Sequence, residues 1–433
     1  MIKTFSILIT FLTIASPAFA TSLLRDADIE HAFSELARPI LQIAGLRPDQ
    51  VKVMLVDDAA FNAFVIDRHH IFLNVGLVLK TQSAEMLQSV IAHEVAHIAN
   101  GHLSRRKQNM QATRNAARFG LALALATGKA NNNPGLGAGL AIGMSNSAQR
   151  VFNSHTQSEE IAADQAALMY FSKLGIDPKG ALQVLDYLSG QEYLASSRQD
   201  PYARTHPLSR DRLRSAKAQA QVQEPTSPNP NARYWHARAV AKTRAFSQDP
   251  DRTLAASGTA VSEDIAFMQR AIAFSRRGKL TQALKAIEKA QKFRPADLFF
   301  QDLKAELLMQ NRQFSQAANA YAKAVSMAPD QSLILAGQGR ALLASGQTES
   351  ALKPLKKAYE MDFKNITLLH DLALAYAKLE NQGMASLITA ERFGLKSNLK
   401  DAMRHAKKAV SLLPQGSPPW QRAQDIVNSN QLK

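Results

Sequence analysis

Residues 83–102 read Ser-Ala-Glu-Met-Leu-Gln-Ser-Val-Ile-Ala-His-Glu-Val-Ala-His-Ile-Ala-Asn-Gly-His. Leu87, Ile91, Val95 and Ile98 fall three or four apart, which predicts one amphipathic helix from Ser83 to Asn100 with Gly101 at its C-terminal end. His93 and His97 are close to one turn apart, so both imidazoles leave the same face and can meet one metal ion, with Glu94 beside them to hold a water.

A catalytic zinc wants a third protein ligand and an open fourth position. The metzincin extension would need Gly and His where this chain has Asn100 and Leu103, so that class is excluded. Glu160-Ile161-Ala162-Ala163-Asp164 instead offers a carboxylate on a second predicted helix, Ser158 to Leu174. Glu160 can ligate the metal, and Asp164, one turn on, can accept a hydrogen bond from a ligand histidine and fix its tautomer. Glu159 competes with Glu160 but points about 100° away, off the face that Asp164 shares. The chain has no cysteine, which excludes thiolate ligands, a cysteine nucleophile and a disulfide framework. One Zn2+ per chain, held by His93, His97 and Glu160, is the expectation.

Upstream of this helix the pattern is strand-like over Val51 to Val56, Phe61 to Ile66 and His69 to Asn74, which predicts a small sheet. Further back, Lys3, the apolar run Phe5 to Ile14 and Ala18-Phe19-Ala20 read as an export signal cleaved after Ala20. The run is shorter than the roughly 20 apolar residues of a membrane span. The expected location is therefore the periplasm, where a chain without thiols is at no risk of oxidation.

Downstream, no acidic residue occurs between Glu94 and Glu159, while Arg105, Arg106, Lys107, Arg114, Arg118, Lys129 and Arg150 are basic. That segment could touch an anionic membrane surface; a hairpin packed on the domain is the plainer reading. The formal net charge of +16 also suits an anionic partner, though a solvated basic surface explains it as well. Nucleic acid is set aside, because an exported protein meets little of it. Gly180 to Ser189 reads as a further helix, and Gln223 to Asn231 as a linker.

Beyond the linker, Ala283, Ala290 and Pro295 recur 34 residues later as Ala317, Ala324 and Pro329, and the alanines again as Ala351 and Ala358. Ala402, Ala409 and Pro414 repeat the internal spacing after a shift of 51, which predicts one extra helix near Gly383 to Phe393. Gly278, Arg312 and Gly346 occupy the matching turn position. A helix-turn-helix period of 34 resembles the tetratricopeptide repeat.

Asn62-Ala63-Phe64 before a strand ending in Gly76-Leu77, the His93 to His102 block, and Glu160-x-x-Ala163-Asp164 together resemble the gluzincin metallopeptidases related to HtpX and to the CAAX prenyl protease. The resemblance spans about Leu36 to Leu213. One departure is Arg68-His69-His70, where that family usually has a Gly-Gly turn. The implied reaction is peptide hydrolysis with zinc as Lewis acid, Glu94 taking a proton from water and passing it to the leaving amine. The strand Ile71 to Asn74 is expected to offer its edge to an extended substrate backbone. His206, in Thr205-His206-Pro207, also fits the family pattern. It is expected near the open metal position, as an inhibitory fourth ligand or as a donor to the oxyanion, unless it is a surface histidine before a helix. His102 reads as structural, and His69 and His70 as cleft-edge or surface residues.

The expected fold is mainly α (α+β): a signal at 1–20, a zincin-like domain with a small sheet at 21–221, a linker and connecting helix at 222–261, and an α-solenoid of repeats at 262–433. The export signal, metallopeptidase domain and repeats together resemble the exported, repeat-bearing members of that family, and the resemblance implies quality control of outer-membrane proteins. Unfolded or misassembled barrel proteins would be substrates, and the outer-membrane β-barrel assembly machinery a partner of the repeats. A chaperone or assembly factor with a latent metal site, acting through its repeat groove, is the alternative.

Overall fold

A computed structural model of the chain describes residues 23–105, 157–191, 193–195, 198–208, 210–221 and 228–429. The expected export signal, the basic segment beyond Arg105 and most of the expected linker lie outside these residues.

Four strands, β1 (Leu23–Leu24), β2 (Lys52–Val56), β3 (Ala63–Val65) and β4 (His70–Asn74), form one sheet in the order β1-β2-β4-β3. β2 and β4 run parallel, with Val53 opposite Ile71 and Leu55 opposite Leu73. These four side chains face the main core, while Met54, Val56 and Phe72 cluster on the other face with Phe64, as alternation along a strand requires. The order of the strands corrects one expectation. Ile71 to Asn74 is not an edge, because β2 occupies one side of β4 and β3 the other. Among the described residues, the open edge on that side of the sheet belongs to β3. Nor does a strand end at Gly76-Leu77: the chain turns at Asn74 into the helix α2 (Val75–Lys80). Gly76 is required there, since a Cβ would sit 1.9 Å from the carbonyl oxygen of Ala59.

Against the sheet lie α1 (Ala27–Ile43) and α3 (Ala84–Ala99). α3 starts where Ser83 Oγ accepts from the Met86 amide at 3.1 Å, and Gly101, at φ 68°, turns the chain after it. Fourteen of its residues are buried, so this helix runs through the core rather than over it. Residues 157–174 form α4, whose Ala163, Ala167 and Phe171 complete the same core. Three helices follow: α5 (Lys179–Gln191), α6 (Pro201–Thr205) and α7 (Arg210–Gln221). Among the described residues, no helix is long and apolar enough to cross a membrane.

Two further helices, α8 (Pro230–Ser247) and α9 (Pro250–Ala256), lead into ten that follow as antiparallel neighbours: α10 (Glu263–Arg276), α11 (Leu280–Phe293), α12 (Leu298–Gln310), α13 (Phe314–Met327), α14 (Ser332–Ala344), α15 (Thr348–Met361), α16 (Ile366–Lys378), α17 (Gln382–Leu395), α18 (Leu399–Leu412) and α19 (Pro418–Ser429). The repeated alanines Ala283, Ala290, Ala317, Ala324, Ala351 and Ala358 are all fully buried. Their small side chains let each second helix close against its neighbours. α17 lies where the shift of 51 residues put an extra helix. The turns inside the pairs keep one conformation at a spacing of 34, with φ of 71° at Gly278, 61° at Arg312, 84° at Gly346 and 60° at Glu380.

Buried ion pairs join the repeats to the sheet region. Arg238 on α8 has no exposed surface and reaches Asp28 of α1 at 2.9 Å and Asp297 of the repeats at 3.1 Å. Lys242, one turn on and equally buried, reaches Asp26 at 2.8 Å. Arg25 contacts Asp362, in the turn before α16, at 2.7 Å.

Candidate metal centre

α3 carries His93, Glu94 and His97 on one face, α4 brings Glu160 across from them, and the segment after α6 brings His206. His93, His97, Glu160 and His206 each offer one ligand atom, and these atoms all lie within 4.8 Å of one another. His93 Nε2 is 3.0 Å from His97 Nε2, 3.1 Å from Glu160 Oε2 and 3.1 Å from His206 Nδ1. His206 Nδ1 is 2.8 Å from Glu160 Oε2, and its Nε2 is 3.5 Å from Glu94 Oε1. All five side chains are buried.

The two motif histidines are held from behind. Asp164 Oδ1 is 3.0 Å from His93 Nδ1, and a carboxylate can only accept, so Nδ1 carries a proton and, in the neutral ring that a metal would need, the Nε2 lone pair faces the cluster. His102 Nδ1 is 2.8 Å from His97 Nδ1, so the outward nitrogen of the second histidine is engaged as well. Inward-facing lone pairs and a carboxylate converging on one buried point, with outward nitrogens already engaged, are a donor set fitted to a divalent cation.

The electrostatics agree. Burial opposes charge on His93, but hydrogen bonds to Asp164 and Glu160 outweigh it and push its pKa up to about 9. Burial would also raise Glu160, yet His206 and His93 hold it well below the usual carboxylate range. The pocket therefore favours positive charge. Burial, with Glu94 nearby, lifts the Tyr202 phenol well above its ordinary range, so the ring packed 4.6 Å from His206 stays neutral.

Each residue singled out in the sequence can now be placed. His93, His97, Glu160 and His206 come together, with Glu94 at their side and Asp164 behind. Glu159 is buried elsewhere, 3.8 Å from Arg105. His69 meets the Gln50 carbonyl and His70 meets Asp67, both away from the cluster. His206 is no surface histidine: it is 4% exposed. His102 lies outside the four ligand atoms and packs behind His97, a contact its spacing in the sequence does not show. Arg212, two of whose bonds go to Asp164, gave no signal beyond its place in the stretch after His206.

Residues 23–220 match peptidase family M48. This part of the chain is an M48 metallopeptidase domain. Metallopeptidases of this family use a metal, and the four converging side chains are where the M48 domain could hold one. A Vibrio cholerae protein, provisionally named a beta-barrel assembly-enhancing protease, is 32% identical over 46% of this chain and 41% of its own length. The beta-barrel assembly-enhancing protease of Escherichia coli strain K12 is 24% identical over 88% of this chain and 78% of its own. The chain thus spans less than half of the first relative and about four fifths of the second. Among solved structures, YrrB, a TPR protein with an unusual peptide-binding site, aligns with 40% of this chain and 91% of its own at 19% identity and a TM-score of 0.32.

Proposed function

We propose that the chain is a periplasmic zinc endopeptidase acting on unfolded or misassembled outer-membrane proteins. The observation that carries this is the convergence of His93, His97, Glu160 and His206 within one M48 domain. The names of the relatives, which refer to β-barrel assembly, support the substrate class. His93, His97 and Glu160 would hold one Zn2+, which when bound supplies Lewis acidity to the scissile carbonyl and to water. Glu94 takes the proton of the attacking water and returns it to the leaving amine. Asp164 keeps His93 in the tautomer that offers Nε2. The free edge of β3 accepts an extended substrate backbone, which restricts cleavage to segments without structure of their own. Export behind a signal cleaved after Ala20, the division at 21–221, 222–261 and 262–433, and docking of the repeats on the barrel-assembly machinery belong to the same reading.

A second reading has its own support: His206 already lies among the ligand atoms, where it would fill the fourth position and leave the site latent. The protein would then act mainly as an assembly factor through its repeats. The test is zinc content and cleavage of an unfolded outer-membrane protein by wild type, Glu94→Gln and His206→Ala. The peptidase reading expects about one zinc per chain, loss of cleavage in Glu94→Gln by a factor on the order of 100 or more, and a gain in His206→Ala. Zinc bound without cleavage by any variant favours the assembly factor. Folded protein without zinc removes the site assignment.

A further inference from the structure

Arg212 sits on α7, outside the cluster of ligand atoms, and is 2% exposed. Among the described residues its guanidinium makes four hydrogen bonds in two directions. Nε and Nη2 reach the two carboxylate oxygens of Asp164 at 2.7 and 3.0 Å. Nη1 reaches the backbone carbonyls of His206 at 3.0 Å and Pro207 at 2.8 Å. The same Nη1 is 3.6 Å from Glu160 Oε2. One cation therefore grips the carboxylate that orients His93 and, at once, the backbone that presents His206.

We infer that Arg212 is a positioning residue that couples the orientation of His93 to the placement of His206. The inference rests on the reading of this cluster as a metal centre. Asp164 can hold the His93 ring only if its own carboxylate is fixed, and the bidentate fork of Arg212 fixes it. The segment 206–208 is not part of a helix, so no ladder of helical bonds fixes its backbone. The described ties on it are the Arg212 bonds to the two carbonyls, the backbone bond from the His206 amide to the Tyr202 carbonyl at 2.8 Å, and the His206 ring at Glu160. A displacement of this segment breaks two of the four bonds of Arg212 and frees the guanidinium to tilt, which loosens Asp164 and then His93. Lysine cannot replace it: an ammonium is a point donor and cannot span a carboxylate and two carbonyls in one plane.

The experiment uses the full-length chain as wild type, Arg212→Lys, Arg212→Ala and Asp164→Asn, with Arg214→Ala as an exposed control on the same helix. Zinc release to a chelator is timed, and exchange of the His206 amide is followed in metal-free protein. Both Arg212 variants are expected to release zinc roughly 10- to 100-fold faster and to exchange the His206 amide faster. Guanidinium ion added to Arg212→Ala is expected to restore part of both. Asp164→Asn is expected to speed zinc release and, because such a coupling is reciprocal, to speed exchange of the His206 amide as well, by a smaller factor than the Arg212 variants do. Arg212→Lys keeps the buried cation and so guards against a result that is only unfolding. If Arg212→Lys retains zinc and protects the amide as wild type does, the coupling is overturned. A wild type that binds no zinc instead overturns the metal reading, and the amide exchange still decides whether Arg212 holds the segment.

Discussion

His102 Nδ1 lies 2.8 Å from His97 Nδ1, so the second histidine of the motif is backed by an imidazole, whereas the first is backed by the carboxylate of Asp164. A carboxylate raises the basicity of the ring it supports more than a neutral ring does. His93 and His97 are thus unequal donors although they belong to one motif.

His102→Ala is expected to weaken zinc binding about 10-fold and Asp164→Asn by more, within the 10- to 100-fold range typical of such partners. Competition with a chelator of known affinity measures both. Equal losses would mean that the imidazole and the carboxylate do the same work.

On α12, Asp302 and Glu306 are one turn apart and face Asp26 and Asp28 of α1, Lys242 of α8, Tyr321 of α13 and Arg340 of α14. Lys242 is taken up by Asp26, and Glu306 Oε2 is buried without a hydrogen-bond partner. Burial, reinforced by the neighbouring carboxylates, pushes Glu306 up to about 7 and Asp302 well above the usual range. A raised carboxylate pKa means that the folded state binds a proton the unfolded chain has released. Stability is therefore favoured near pH 4.5 and falls as pH rises toward and through 7. Glu306→Gln removes that loss. It is expected to stabilise the chain at pH 8 by on the order of 1 to 2 kcal/mol and to change little at pH 5, read from thermal unfolding at both values. An equal effect at the two pH values would contradict the protonated pair.

Arg312 and Glu380 hold the left-handed turn that Gly278 and Gly346 hold in the neighbouring pairs. A side chain there costs about 1–2 kcal/mol, and glycine's extra freedom when unfolded returns part of it. Arg312→Gly should gain roughly 0.5–1 kcal/mol in urea unfolding. A loss would show that the Arg312 side chain makes a contact worth more than the strain.

Gly76→Ala should do the reverse. Its Cβ would press on the backbone of Ala59, which cannot swing away as a side chain can. We expect a destabilisation of about 3 kcal/mol or more, with cleavage falling because Ala59 leads into β3. Normal melting and normal activity would show that the loop at Ala59 yields freely.

The motif helix and its partner were legible because their signals are local: a 3.6-residue period, a cap and four-residue spacings. His102 stands outside the ligand atoms, as its spacing suggests, but its contact with His97 was not legible, for a physical reason. Counting five residues from His97 assumes one continuous helix, but Gly101, in the left-handed conformation, turns the chain and brings the next side chain back over His97. The interior position of β4 was hidden because strand order is set by long-range pairing: a strand is legible over Phe61 to Ile66 and forms as β3, but no local pattern says that it lies beside β4. Arg212 was equally silent: nothing in a sequence says that one arginine among many is swallowed between a carboxylate and two carbonyls. The repeats were readable from their alanines as far as Ala358. The fourth pair keeps Ala385 but has Arg392 in place of the second alanine, so its register was lost while its turn at Glu380 still obeys the 34-residue period.

The ion pairs at Asp28, Asp297 and Asp362 have a mechanical consequence. Arg238 pins the start of the solenoid, and Arg25 pins it again at the turn after α15. A helical array of this kind is elastic, but a rod clamped at two points bends only beyond the second clamp. The helices before Asp362 are therefore held at two points against the start of α1. The helices from α16 to α19 lie beyond the second clamp, like a cantilever, and are the part of the repeats with most freedom to bend around a bound protein.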